Sequence, residues 1–181
     1  MDPEIYNRLW DEAHQAWRSA KLPRSLANKH PIVAKWLADD ARGGDPAVNP
    51  LYFLHRPHFR HPTRRRRLRI FNTLLWTLEG EGFALALARV RDDSDIAVSR
   101  GGHRATLSIS AEMTGPVRAT SPSRTMLTGR LSCQIDAKLP GGIERRWADE
   151  PGAALETRIP NILASFAVWA AVLKDQGSPS C

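Results

Sequence analysis

The residues best able to act together chemically are the arginines between His55 and Arg69, a stretch reading HRPHFRHPTRRRRLR with seven arginines and no acid. The chain carries 26 Lys and Arg against 19 Asp and Glu, a formal net charge of +7. Without those seven arginines the count is 19 against 19, so the basic excess is local and the rest of the chain is neutral. A local excess attracts polyanions, the phosphate backbone of DNA or RNA first and an acidic protein or membrane surface second. Arg64, Arg65, Arg66 and Arg67 are expected in the first turn of a helix, the positive end of its dipole, where acids are favoured. Cations beside free backbone N–H groups are costly there unless an anion joins them, which gives phosphate a physical reason to bind. Internal salt bridges, to acidic pairs such as Asp39-Asp40 or Asp92-Asp93, are the competing expectation.

The same stretch holds His55, His58 and His61. Imidazole ligates zinc and nickel, but Pro57 and Pro62 oppose a helix that would stack the rings. On an extended path, steps of three residues set them roughly 9 Å apart, too far for one ion without a tight loop. Added positive charge in mildly acidic conditions is the expectation for them. No phosphate-loop, dinucleotide, H-E-x-x-H or G-x-S-x-G pattern occurs. Gly101-Gly102 and Gly141-Gly142 read as turns, and Glu144, Asp149 and Glu150 assemble no catalytic set with His103. The expectation is a protein without enzyme activity, cofactor or metal.

These residues need elements to position them. Asp2-Pro3 is a helix start, and Ile5, Tyr6, Leu9, Trp10, Ala13, Ala16 and Trp17 keep helical spacing to about Ala20. A second helix is predicted from Pro31 to Arg42, with Ile32, Val33, Trp36 and Leu37 inward. Gly43 to Thr63, with four prolines, reads as an irregular loop. A third helix is predicted from Arg64 to Glu79 on Leu68, Phe71, Leu74, Leu75 and Leu78, stopped by Gly80 and Gly82. From Phe83 the period changes to two. Strands follow at Phe83–Leu87, Ile96–Ser99, Arg104–Ile109, Leu127–Asp136 and Ile143–Trp147, the last antiparallel to the one before. In the fourth, Leu127, Gly129, Leu131, Cys133 and Ile135 face the core. A last helix runs from Ala153 to Asp175, with Pro160 a kink or its true start.

Strands with one polar face beside amphipathic helices predict an α+β two-layer sandwich, its antiparallel sheet of about four to five strands covered by helices on one face. The expected parts are an N-terminal helical segment over 1–42, a Pro-rich basic loop over 43–63, the α+β domain over 64–176 and a tail over 177–181. The outer sheet face would carry Arg104, Thr106, Ser108, Thr128, Arg130, Ser132 and Gln134. It offers no exposed aromatics for base stacking. Of the six tryptophans, Trp10, Trp17, Trp36, Trp76 and Trp169 are expected in helix packing and Trp147 exposed at a strand end.

No apolar run approaches a membrane span, and the start Met1-Asp2-Pro3-Glu4 does not read as a secretory signal. Cys133 and Cys181 are expected as reduced thiols in a cytoplasmic protein.

Three blocks carry a resemblance: His30 to Leu37 (HPIVAKWL), Arg64 to Gly82 (RRRRLRIFNTLLWTLEGEG), and Leu127 to Asp149 leading into the helix around Leu155–Leu173. Together they resemble uncharacterised bacterial proteins borne on plasmids and genomic islands, which often carry an N-terminal helix-turn-helix before an α+β domain. The resemblance implies a fold and a setting, and it transfers no catalytic residue. Residues 1–29 carry no clear helix-turn-helix, with Leu22-Pro23 where a recognition helix would stand.

The reading is then a nucleic-acid-binding accessory protein of mobile-element or defence type. Arg64, Arg65, Arg66 and Arg67 are its expected phosphate contacts, Arg56, Arg60 and Arg69 support them, and Arg104 and Arg130 add to the sheet face. The alternative is a module docking into a larger, even nucleoprotein, assembly.

Overall fold

The structure, a computed structural model, describes residues 3–18, 22–23, 25–43, 58–88, 95–114 and 126–177. It is an α+β fold in which a five-stranded antiparallel meander is covered by helices on one face. The strands are β1 (Ala84–Leu87), β2 (Asp95–Arg100), β3 (His103–Thr114), β4 (Met126–Asp136) and β5 (Arg146–Ala148), paired in that order. The helices are α1 (Pro3–Trp17), α2 (Pro31–Gly43), α3 (Pro62–Gly80) and α4 (Ile159–Gly177). Among the described residues no helix is long and apolar enough to cross a membrane.

Alternation decides which sheet face meets the helices. Ile96, Val98, Ala105, Leu107, Ile109, Leu131, Cys133, Ile135 and Trp147 are buried on one face. The register aligns Asp95, Ser108, Gln134 and Arg146 across the other. Gly101 and Gly102, at φ +57° and +80°, make the two-residue β2–β3 turn that needs left-handed backbone at both positions. The predicted inward place of Gly129 is wrong. Pairing shifts register between Ala111 and Met113, and Gly129 lies opposite this irregularity, exposed and at φ +88°.

α3 starts two residues earlier than expected, because His61 and Pro62 build its first turn. Leu68, Phe71, Leu74, Leu75 and Leu78 are buried as predicted, with Ile70 and Asn72 beside them. Each such apolar side chain contributes about 1.5–3 kcal/mol. α2 packs on α3 through Trp36 and Phe71, whose rings meet edge to face at 5.1 Å. Pro160 marks the start of α4, after a 3₁₀ turn over Leu155–Arg158. α4 is buried on two sides: Phe166 and Trp169 join the main core, while Val168 and Val172 face Tyr6, Leu9 and Trp10 of α1.

α3 and α4 run in the same direction. Glu156, just before α4, bonds Arg66 near the start of α3. Phe83, just after α3, meets Phe166 and Trp169 within α4. Both helix N-termini therefore lie at one end of the sheet and both C-termini at the other.

Two tryptophans exchange their expected roles. Trp147 is buried, and its indole N–H has no hydrogen-bond partner among the described residues. Trp76 is 39% exposed, its Nε1 donating to the Asn28 carbonyl at 3.3 Å. Cys133 is a buried free thiol whose pKa burial pushes up; Cys181 lies outside the described residues.

Candidate nucleic-acid interface

Within the arginine segment Arg66 is set apart by its partners. Arg66 points into the protein, its guanidinium gripped from two sides. Nη1 and Nη2 donate to Asp149 Oδ2 and Oδ1 at 2.6 and 2.7 Å, a paired fork. Nε donates to Glu156 Oε1 at 2.5 Å and Nη2 to Glu156 Oε2, while Nη1 reaches the Gly129 carbonyl at 3.3 Å. A guanidinium has five N–H donors, and here each has an acceptor. The Arg66, Asp149 and Glu156 side chains are only 20, 11 and 25% exposed.

Asp149 anchors the network to the backbone. Its Oδ2 accepts from Leu131 N at 2.7 Å and its Oδ1 from Leu155 N at 2.6 Å. The clamp therefore joins α3, the β4 bulge and the turn before α4. Burial works to raise the Asp149 and Glu156 pKa values, but the bonds from Arg66 prevail and hold both below the ordinary carboxylate range. The same bonds raise the Arg66 pKa further.

Arg66 is therefore corrected from a phosphate contact to an internal ion pair. The competing expectation of internal pairing applies to it, with different partners from those proposed. Asp39 pairs with Lys35 and Arg42, and Asp40 accepts from Phe59 N at 3.1 Å. Asp92 and Asp93 lie outside the described residues. Sequence reasoning weighed Asp149 only for a catalytic set with His103 and passed over Glu156. The available signal was Glu156 ahead of an apolar helix, where an acid suits the dipole.

The free N–H groups expected at the start of α3 are also fewer than supposed. His61 is the N-cap, its Nδ1 accepting from Thr63 N at 3.3 Å; Pro62 has no N–H; and Arg65 N donates to His61 O at 3.0 Å. His61 thus has a structural task. His55 lies outside the described residues, and no group of three metal-ligating side chains occurs among the described ones.

Arg60, on a 3₁₀ turn over His58–Arg60, and Arg65 are exposed, while Arg64, Arg67 and Arg69 are half-buried. Arg130 is exposed beside Gly129, so the Arg66–Gly129 bond brings it to the same end of the molecule as the start of α3. Among the described residues Arg60, Arg65, Arg69 and Arg130 form no ion pair. Arg104 is also exposed but stands at the far end of β3. From Arg104 to Ala111, the partner of Leu131, the strand covers about 23 Å. The structure therefore separates Arg104 from Arg130. Arg56 lies outside the described residues.

No protein-family model, curated protein or solved structure matches this chain.

Proposed function

We propose that the chain is a nucleic-acid-binding accessory protein that holds phosphates without reading bases. The observation that carries this reading is that Arg66 is neutralised by built-in carboxylates, while Arg60, Arg65, Arg69 and Arg130 stand near it without an ion pair among the described residues. Contacts of this kind set the position of a duplex or single strand and carry no sequence code. The setting in a mobile element or defence system rests on the three resembling blocks, and the absence of a catalytic motif from the sequence suits an accessory role.

Binding of fluorescent duplex and single-stranded oligonucleotides across a salt series tests it, comparing wild type with the combined Arg60→Gln, Arg65→Gln, Arg69→Gln and Arg130→Gln variant. If those side chains neutralise about four phosphates of duplex DNA, log K falls against log salt with a slope of roughly −3.6, and the variant loses most of it. Wild type that binds neither strand form at low salt would sink the reading and direct attention to an acidic protein partner.

A further inference from the structure

A cleft with a volume of about 650 Å³ lies at the opposite end of α3. That is within the range of small-molecule sites, roughly 300–1,000 Å³. Trp17, Phe83, Ala170 and Leu173 are among its apolar walls. Arg100 from the β2–β3 turn and Lys174 from α4 place cations around it, with His103 beside them, against the single carboxylate of Glu81.

Arg100 is the informative residue. Its guanidinium carbon sits 4.9 Å from the centre of the Phe83 ring, and Phe83 stacks on Trp169 with centroids 6.2 Å apart. The aromatic face holds the cation through its quadrupole without consuming N–H donors. Among the described residues no carboxylate pairs with Arg100. The guanidinium is therefore held in place at an apolar wall with hydrogen-bonding capacity to spare. Arg66 has the opposite arrangement, every donor taken. The cavity of about 230 Å³ beside Arg130 also differs, because Glu112 and Asp149 line it and repel an anion. Cations at helix C-termini suit the dipole and account for Lys174. Arg100 lies on a strand end, outside both helices, so that explanation does not reach it.

We infer that this cleft binds a small amphipathic carboxylate, its apolar body against Trp17, Phe83 and Leu173 and its carboxylate on Arg100. Charge complementarity selects the head group, and the apolar walls select a body several carbons long. Each methylene buried raises affinity about fourfold. The site is independent of the phosphate-binding face.

Isothermal titration with octanoate, decanoate and decanol, all kept below aggregation, tests this on the full chain. One decanoate per chain is expected, with octanoate weaker by about 15-fold for two methylenes. Arg100→Gln should weaken decanoate by about tenfold and leave decanol unchanged, whereas Arg42→Gln, on the far surface of α2, should alter neither. Ala170→Trp should fill the cleft and abolish both, with its thermal unfolding confirming that it folds. Non-saturable decanoate binding, or Arg100→Gln binding decanoate as wild type does, would overturn the assignment.

Discussion

The two ends of α3 both gather arginines, yet they use them in opposite ways. At the N-terminal end Arg66 is enclosed by Asp149 and Glu156 with all its donors engaged. At the C-terminal end Arg100 rests on the Phe83 ring. The parallel course of α3 and α4 accounts for part of the contrast. Two helix N-termini converge on the clamp, where their dipoles favour the carboxylates, and two C-termini converge on the cleft, where they favour Lys174 but do not reach Arg100. Clustered charge is thus no guide to a binding residue by itself. Whether its acceptors are already supplied decides its role.

Removing the clamp's cation should produce the largest effect. Arg66→Ala leaves two mostly buried carboxylates without their counter-charge, and we expect a loss of about 2–4 kcal/mol, read as a lower urea midpoint at pH 7. The pH dependence should also weaken. In wild type the Asp149 and Glu156 pKa values lie below their unfolded values, so their contribution is full above the carboxylate range and is lost as pH falls through the folded values. Without Arg66 the backbone bonds from Leu131 and Leu155 still oppose burial at Asp149, so the variant should lose less stability than wild type over the same acidification. A variant as stable as wild type at pH 7 would make Arg66 another surface arginine and remove the contrast between the two ends.

Much of this architecture was legible beforehand, and the missed parts share a cause. Periodicity located the four helices and the strands but not the strand order, because burial on one face leaves a local trace in Leu68 to Leu78 and in Leu131 to Ile135. Arg66 leaves none. It is one of four consecutive arginines, and its two acceptors lie 83 and 90 residues away. The same limit reversed Trp76 and Trp147. Local spacing assigned Trp76 to packing, whereas its surroundings are set by Asn28 and His30 from a distant segment. The separation of Arg104 from Arg130 likewise required the β3–β4 register. A run of identical side chains does not say which member points inward.

A smaller effect sharpens the role of the bulge. Gly129 at φ +88° presents its carbonyl to Arg66, and an added Cβ would meet nothing within 4 Å. Gly129→Ala therefore isolates backbone strain, and we expect a loss of about 1–2 kcal/mol in equilibrium unfolding. Nucleic-acid affinity should fall modestly with it, since Arg130 is the next residue. Unchanged stability would mean that this bulge relaxes freely and does not fix the edge of the clamp.

The smallest effect concerns a second His-Pro pair. His30 precedes Pro31 as His61 precedes Pro62, and His30 Nδ1 accepts from Ile32 N at 3.2 Å as His61 Nδ1 does from Thr63 N. The two caps differ in burial. His61 is exposed, whereas His30 is 3% exposed, its backbone N–H donating to Asn72 Oδ1 at 2.8 Å and its ring against Trp76. Burial lowers the His30 pKa, and the charge of Glu79, 3.5 Å from Nε2, opposes that lowering only in part. A lowered folded value means stability is full above the unfolded pKa near 6.5 and declines as pH falls below it. Because the two causes oppose each other, the slope should be shallow. Asn at position 30 caps a helix without titrating, so His30→Asn should flatten the decline of the urea midpoint between pH 7.5 and 5.5. If the decline persists in His30→Asn, the buried cap is not its source, and the two His-Pro starts are equivalent in pH response despite their difference in burial.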